Sequence, residues 1–521
     1  MLNGGEGGFL TNHSIPRNPT NFRRSRSAPD DPGSSLQHNT SPLMPPAAFP
    51  PTLRPVQTSV LPDTIWSPIH EDGFREHLVT LEKQTNAVPM DVLSTEGADD
   101  AAEHDHSSPF LPLKTEKQVA DDLAYIAAVT EGAQSVAAVC LTQLNGPSLS
   151  PDQPTLVIHV AGMNVIDNNV KGMLDGVVSQ LQCGSAEPDG IESIFREIIE
   201  QHTQKLLGRL RSRKWVKPKH LARTHKKPLW QDFENLSHRA QHIYPRKPER
   251  KIREATETSI REVRKVYEDF ETSADQTTTA LQELVKATFT WCKTSLIGAY
   301  AAKLDNAGLT RQIAAALKTL RQLEKIGAYW RIAQDLLAVA DQHPHIFRRI
   351  ELKYLTPYAS VPTSIAYELW AQTCHVHAEI QLVVELAKTA SQRTESEAEA
   401  KARTLSTVEM RPRTIGTSKY LCYLCYLFLR YHGAFAMLST HGRLYDQWTV
   451  PDLAEYDIAT RDKFAAVLGR VDEHVVGQIE ETKCVIWRAE PMTSRQNLLL
   501  KSTNDHDGDT PEAGFDELAS S

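Results

Sequence analysis

Four residues have types and spacings that could do chemistry: His377, Glu379, Cys422 and Cys425. His377-Ala378-Glu379 alone is weak, since a chain with 20 His should produce a His-x-Glu about once by chance. Cys422-x-x-Cys425 is more specific: among seven Cys, a pair three apart arises on the order of one time in ten. Cys at i and i+3 share one helix face, so both sulfurs can reach one metal. At a helix N-terminus the dipole favours the thiolate, the form that binds metal. Lys419 adds positive charge nearby. In mid-helix His377 and Glu379 would diverge by about 200°. They converge only where a helix begins, which predicts His377 in a first turn. Together the four match the His-x-Glu … Cys-x-x-Cys signature of zinc deaminases. In that arrangement His377, Cys422 and Cys425 bind Zn2+, and a water takes the fourth position. Glu379 moves the protons.

A rival reading adds Cys374. Cys374-x-x-His377 with Cys422-x-x-Cys425 gives four ligands and a closed, structural site. The two halves are farther apart than in ordinary zinc ribbons, and Glu379 is then left without a role. Cys374 as a nucleophile paired with His377 lacks a recognisable oxyanion hole. His375 reads as a hydrogen-bonded turn residue. Two further residues are candidate substrate contacts. His441 follows an expected strand at Ala434–Ser439, and it is either a substrate contact or a structural histidine. Trp448 either stacks a base or lies as an aromatic lid over the core.

The surrounding residues carry a resemblance. The quoted stretches are His377–Leu382 (HAEIQL), Ile415–Cys425 (IGTSKYLCYLC), Thr440–Tyr445 (THGRLY) and Trp448. They resemble the nucleic-acid deaminase family expanded in fungi, within the cytidine-deaminase-like superfamily. The resemblance covers roughly residues 350–460. It implies a three-layer α/β/α deaminase domain, with His377, Cys422 and Cys425 as zinc ligands and Glu379 as proton shuttle. Leu421 stands where typical deaminases have a proline before the first cysteine.

These residues must be positioned by the elements around them. Glu351–Leu355 is strand-like, and the stretch from Tyr367 to Leu386 is helix-like. Residues 391–403 read as a loop or frayed helix end. Arg413–Gly416 reads as a strand, Cys422–Tyr431 as an apolar helix ended by Gly433, and Thr460–Ile479 as a helix. This alternation favours an α/β layer architecture over 346–485. Residues 111–345 are mostly helical. Ile191, Ile194, Phe195, Ile198 and Ile199 keep helix spacing, as do Ile260, Val263, Tyr267 and Phe270, and then Leu309, Ile313, Leu317 and Leu320. One short strand, Leu156–Val160, interrupts them. Cys140, Cys183, Cys292 and Cys484 read as ordinary buried thiols.

At the ends, residues 1–110 read as a disordered region and an acidic linker, and 486–521 as an acidic flexible tail. His104 and His106 sit in that linker as solvated residues. Between Lys205 and Lys227 lie ten Lys and Arg and no acid, on a chain of net charge −8. With Trp215 and Trp230 beside it, this stretch suggests nucleic-acid contact through 205–253, or else a solvated connector. The net charge excludes a uniformly basic nucleic-acid packager. Seven Cys in 521 residues argue against a disulfide-stapled secreted fold. The N-terminus has no apolar signal core, and the longest apolar run, Tyr420–Leu429, is far short of the ~20 residues that span a bilayer. The expectation is an intracellular zinc deaminase, cytoplasmic or nuclear, acting on a cytosine or adenine base. Its substrate is a nucleobase in a nucleotide or in single-stranded nucleic acid. The alternative is a catalytically silent deaminase fold that binds a partner through a structural zinc site.

Overall fold

The computed structural model describes residues 64–91 except 68 and 90, 110–145 except 131, 133 and 134, 154–184, 188–217, 227–273, 277–368 except 309, 370–400, 408–481 and 498–499. The chain opens on α1 (Glu71–Thr85) and α2 (Leu113–Ala127), then β1 (Ala137–Asn145) and β2 (Thr155–Gly162). A helical run follows: α3 (Asn168–Cys183), α4 (Pro188–Leu210), α5 (Phe233–Ile243), α6 (Arg250–Thr272), α7 (Thr277–Cys292), α8 (Ser295–Asp305), α9 (Arg311–Gln342) and the single turn α10 (Pro344–Phe347). After it come β3 (Ile350–Tyr354), β4 (Val361–Pro362), β5 (Thr373–Cys374), α11 (Ala378–Ala400), β6 (Val408–Met410), β7 (Gly416–Thr417), α12 (Tyr423–His432) and α13 (Ile458–Glu481).

The architecture is mixed α/β, mostly helical, around a small mixed sheet. β1 and β2 are mostly apolar, with long runs such as Ala137–Leu141 and Leu156–Ile158, because both faces of the sheet are covered. They pair antiparallel from Ala137 opposite Gly162 to Leu144 opposite Thr155. β3 joins β2 in parallel, Leu156 opposite Ile350 through Val160 opposite Tyr354. A parallel neighbour needs a long crossover, and the whole run α3–α10 supplies it. On the other side β1 pairs antiparallel with β6 and then β7. Pro412 lies in the gap between those two short strands, where its missing N–H fits a break in the ladder.

The alternation of side chains along β1 divides the core in two. Ala137, Val139 and Leu141 face a cluster built from α2–α10, whereas Ala138 and Cys140 face a second cluster built from α1, α11, α12 and α13. The sheet is therefore packed between helices on both sides, and the expected boundary at 345/346 has strands of one sheet on either side of it. α2 presses directly on β7. A Cβ on Gly416 would lie 2.0 Å from the Ala120 carbonyl carbon, and Thr417 donates its N–H to Asp121 Oδ1 at 2.7 Å. Arg331 of α9 holds both carboxylate oxygens of the buried Asp122 on α2, at 2.5 and 3.0 Å.

Several expectations need correction, among them Cys183, which is exposed and not a buried thiol. The stretch 64–67 and α1 are not disordered: Ile65, Phe74, Leu78 and Leu81 are buried in the second cluster, where helix spacing lines up the last three on α1. Ala434–Ser439 is not a strand. Met437 takes a left-handed φ of 56°, which interrupts an extended run, and a single bridge from Thr440 to Leu421 remains. Within 486–521, Leu498 and Leu499 are buried in the first cluster, and Leu499 donates its N–H to Glu324 Oε1 at 3.1 Å. His104, His106 and Cys484 lie outside the described residues. No helix among the described residues is long and apolar enough to cross a membrane.

Candidate metal centre

His377 directly precedes α11, and its carbonyl accepts the first-turn N–H of Gln381 at 3.0 Å. It therefore stands at the helix start, as the His-x-Glu geometry requires. Two contacts fix this start. The Gln381 side-chain amide donates to Gly162 O at the end of β2 and to Val376 O, both at 3.0 Å. The segment before it runs parallel to the loop bearing Trp448, with His375 N–H to Gln447 O at 2.7 Å and Thr449 N–H to His375 O at 3.1 Å.

Cys422 is the residue capping the N-terminus of α12. Its sulfur accepts the Cys425 N–H at 3.4 Å, and one turn of helix brings Cys425 Sγ to the same side. Gly433 closes the helix in a left-handed conformation, φ 72°. His377 Nδ1 lies 3.5 Å from Cys422 Sγ and 3.4 Å from Cys425 Sγ. The donor atoms of a tetrahedral zinc site are about 3.5 Å apart, given bond lengths of ~2.0–2.3 Å. One imidazole and two sulfurs are a donor set that zinc prefers. Among the described residues, His377, Cys422 and Cys425 are the group of such side chains close enough to share a metal ion.

The electrostatics suit that role. Burial opposes ionisation of Cys422, but hydrogen bonding with Cys425, the adjacent His377 and the Cys425 N–H together pull its thiol well below the ordinary value. Burial likewise opposes charge on His377, and the Cys422 thiolate outweighs it and raises the imidazole pKa. Burial, then hydrogen bonding and repulsion from Cys422, push Cys425 well above a usual thiol. Glu379 is almost completely buried with Oε2 3.7 Å from Cys425 Sγ, and burial raises its pKa against the pull of His377. A carboxyl in that state holds a proton at a pH where a surface glutamate would not.

Cys374 does not join the group. The Arg75 guanidinium donates to its sulfur, and burial pushes its thiol up to about 11 even so. Its sulfur is not one of the donor atoms that lie within reach of one another among the described residues. Arg75 belongs to α1, in a stretch that sequence reasoning set aside. Trp448 does not offer its ring to a base. The indole has no exposed surface, packs on Phe74 and Phe428, and donates its N–H to Cys425 Sγ at 3.3 Å. His441 is buried, its Nδ1 accepts the Arg443 N–H at 3.1 Å, and its ring faces Tyr445, which in turn lies against His377. Burial lowers its pKa, so the ring is neutral near pH 7 with its proton on Nε2. Tyr445 was in the quoted motif but had no assigned part.

In the basic stretch, Trp215 and Trp230 pack against the helical cluster instead of standing free. Arg264 covers the Trp230 ring at 5.2 Å. Lys219, Arg223 and Lys226 lie outside the described residues.

The site is a His/Cys/Cys group that could hold a metal ion, with a buried carboxyl beside it, borne on the N-termini of two helices against one sheet. A family model described as OTT_1508-like deaminase matches residues 376–452, the stretch that contains all four of these side chains. That match supports deaminase chemistry for this part of the chain. No curated protein and no solved structure matches the chain.

Proposed function

We propose that the chain is a zinc-dependent hydrolytic deaminase of a cytosine or adenine base, presented in a nucleotide or in single-stranded nucleic acid. The observation that carries this is the convergence of His377, Cys422 and Cys425 with Glu379 alongside, within the stretch similar to a deaminase family. The helix–sheet–helix layering supports a three-layer α/β/α deaminase fold of the cytidine-deaminase-like kind. His377, Cys422 and Cys425 would hold the zinc, which would supply Lewis acidity and lower the pKa of a water in the site. The N-terminus of α12 holds Cys422 as thiolate, and Trp448 steadies Cys425. Water adds to the amino-bearing carbon of the base, and ammonia leaves. Glu379 takes one proton of the water and passes it to the ring nitrogen, then takes the second from the hydroxyl now on the ring carbon and passes it to the departing amine. Its burial raises its pKa, which favours the protonated form that it must pass through between the two transfers. His441 presents an Nε2–H donor suited to a base carbonyl or phosphate.

The test is zinc content together with turnover on a panel of nucleosides, nucleotides and single strands, for the parent and for Glu379→Gln. Gln keeps the shape and a hydrogen bond but cannot carry the proton. Turnover should fall ~10²–10⁴-fold while zinc and thermal stability stay as in the parent. Turnover that persists in the Gln variant sinks the shuttle role. A zinc-loaded parent inactive on every base favours the silent binding scaffold.

A further inference from the structure

The turn between β4 and β5 carries two aromatic side chains that stand outside the core. Trp370 is 77% exposed and Tyr367 is 38% exposed. Tryptophan is mostly buried in folded proteins, so a ring this open calls for a reason. Backbone hydrogen bonds hold it in place. Thr363 donates its N–H to Gln372 O at 3.0 Å, Ala371 to Glu368 O at 2.9 Å, and Gln372 to Trp370 O at 3.1 Å. Below them the two strands pair antiparallel, with Val361 opposite Cys374 and Pro362 opposite Thr373.

Two links tie this turn to the candidate metal centre. β5 ends at Cys374, three residues before His377. Trp370 is then seven residues from His377, and their Cα atoms lie at most about 25 Å apart. The second link comes from the opposite side. Tyr367 donates its N–H to Oδ2 of the buried Asp446 at 2.6 Å. Asp446 follows Tyr445, whose ring centroid is 6.3 Å from that of His377. The two aromatics therefore stand on a braced turn beside the site, within the span of a few nucleotides.

The residues around the rings decide what they suit. Ser364, Glu368 and Gln372 are polar and exposed, so the described residues of the turn offer isolated rings and not a contiguous apolar patch. A stable protein partner buries about 800 Å² on each side around an apolar centre. A nucleic-acid base needs only a π-face to stack on. Residues 363–372 contain no Lys or Arg, so the turn is suited to bases and not to phosphates. Glu379, Cys422 and Cys425 are almost completely buried, whereas Trp370 stands in solvent, and one base cannot occupy both places. We propose that Trp370, assisted by Tyr367, stacks a base that neighbours the reacting one, which makes the substrate a single-stranded nucleic acid and not a free nucleotide. A duplex is disfavoured because its bases already stack on each other. The identity of the reacting base rests on the deaminase reading, and a binding readout keeps the two apart.

The probes are single strands of DNA and of RNA about ten nucleotides long, the matching DNA duplex, and cytidine and adenosine monophosphates. Each is titrated into the full chain at several salt concentrations. At least one strand should bind more tightly than the duplex and the monophosphates. Trp370→Ala should weaken that binding about 5- to 100-fold, and Trp370→Phe should recover most of it. The slope of affinity against salt should stay as in the parent, because stacking releases no counterions. Trp370 is exposed, so the ligand-free melting temperature should not change in either variant. The proposal is overturned if neither strand binds, if Trp370→Ala binds like the parent, or if it flattens the salt slope as a lost phosphate contact would. Self-association of the parent that Trp370→Ala abolishes also overturns it, by assigning the ring to a second copy of the chain. Strand binding that needs Trp370, with no base turned over, upholds the stacking role and sinks the deaminase reading. Turnover of free monophosphates without strand binding does the reverse.

Discussion

Cys374 and Cys422 show how two buried cysteines near one histidine come to differ. Cys422 lies at a helix start with a backbone N–H on its sulfur and His377 beside it, and its thiol ionises readily. Cys374 lies on a two-residue strand, turned toward Arg75, and stays protonated. Cys422→Ser and Cys425→Ser should each lose most of the bound zinc and lower the melting temperature, since metal binding is coupled to folding. Cys374→Ala should keep zinc at the parent stoichiometry. Zinc lost from Cys374→Ala alone would restore the closed four-ligand site. Trp448 gives a finer test. Trp448→Phe retains most of the buried ring but removes the N–H that Cys425 Sγ accepts. Partners of metal ligands are typically worth ~10–100-fold in metal affinity. Competition with a zinc-chelating dye should show a loss in that range, with near-parent secondary structure; an unchanged affinity would reduce Trp448 to core filling. The grouping of His377, Cys422 and Cys425 was legible in the sequence because a spacing of three at a helix start brings both sulfurs to one side. The part of Trp448 was not, because nothing local says which sulfur its indole meets.

At the scale of elements, helix starts and stops were the most readable features. Gly433 ends α12, and the His-x-Glu spacing places the start of α11, because each signal is contained within a few residues. Elements whose existence depends on distant packing were harder. α1 has Phe74, Leu78 and Leu81 at helix spacing, but it is flanked by proline-rich and acidic stretches that read as unfolded. What secures it is tertiary: Phe74 packs on Trp66 and on Trp448, next to the metal centre. Phe74→Ala should therefore cost ~3–5 kcal/mol, measured by urea unfolding, although Phe74 lies about 300 residues from His377. A cost below about 1 kcal/mol would mean that α1 is a loose attachment. Gly416 raises the same question from the opposite side. Its Cβ-free backbone lets α2 sit against β7, so Gly416→Ala should destabilise by ~1–3 kcal/mol or more through forced separation of the two. The reason is invisible in sequence, because Ala120 is almost 300 residues away.

Across the whole molecule, the sheet belongs to neither half of the chain alone, and the metal centre depends on α1 reaching it from the N-terminal side. Glu82 reports on that docking. It sits on α1 with Oε2 accepting the Asp446 N–H at 3.2 Å, two residues before Trp448. Burial, reinforced by the Asp446 carboxylate, pushes its pKa from 4.5 up to about 8. A folded pKa above the unfolded one means that the folded chain holds the proton more tightly. The stabilisation is then fully present below pH 4.5 and is lost progressively as the pH rises to about 8, where the folded carboxyl ionises. The buried histidines pull the other way at lower pH, so the parent curve alone does not isolate Glu82. Comparison with Glu82→Gln does, because Gln imitates the protonated carboxyl and every other group titrates alike in both. The variant should match the parent near pH 4.5, gain on it steadily through neutrality, and level off above about pH 8 with an advantage on the order of a few kcal/mol. Melting temperatures taken from pH 5 to 9 would show the two curves diverging over that window. Parallel curves would mean that Glu82 titrates as a solvated carboxyl and that α1 meets the 443–446 loop through packing alone.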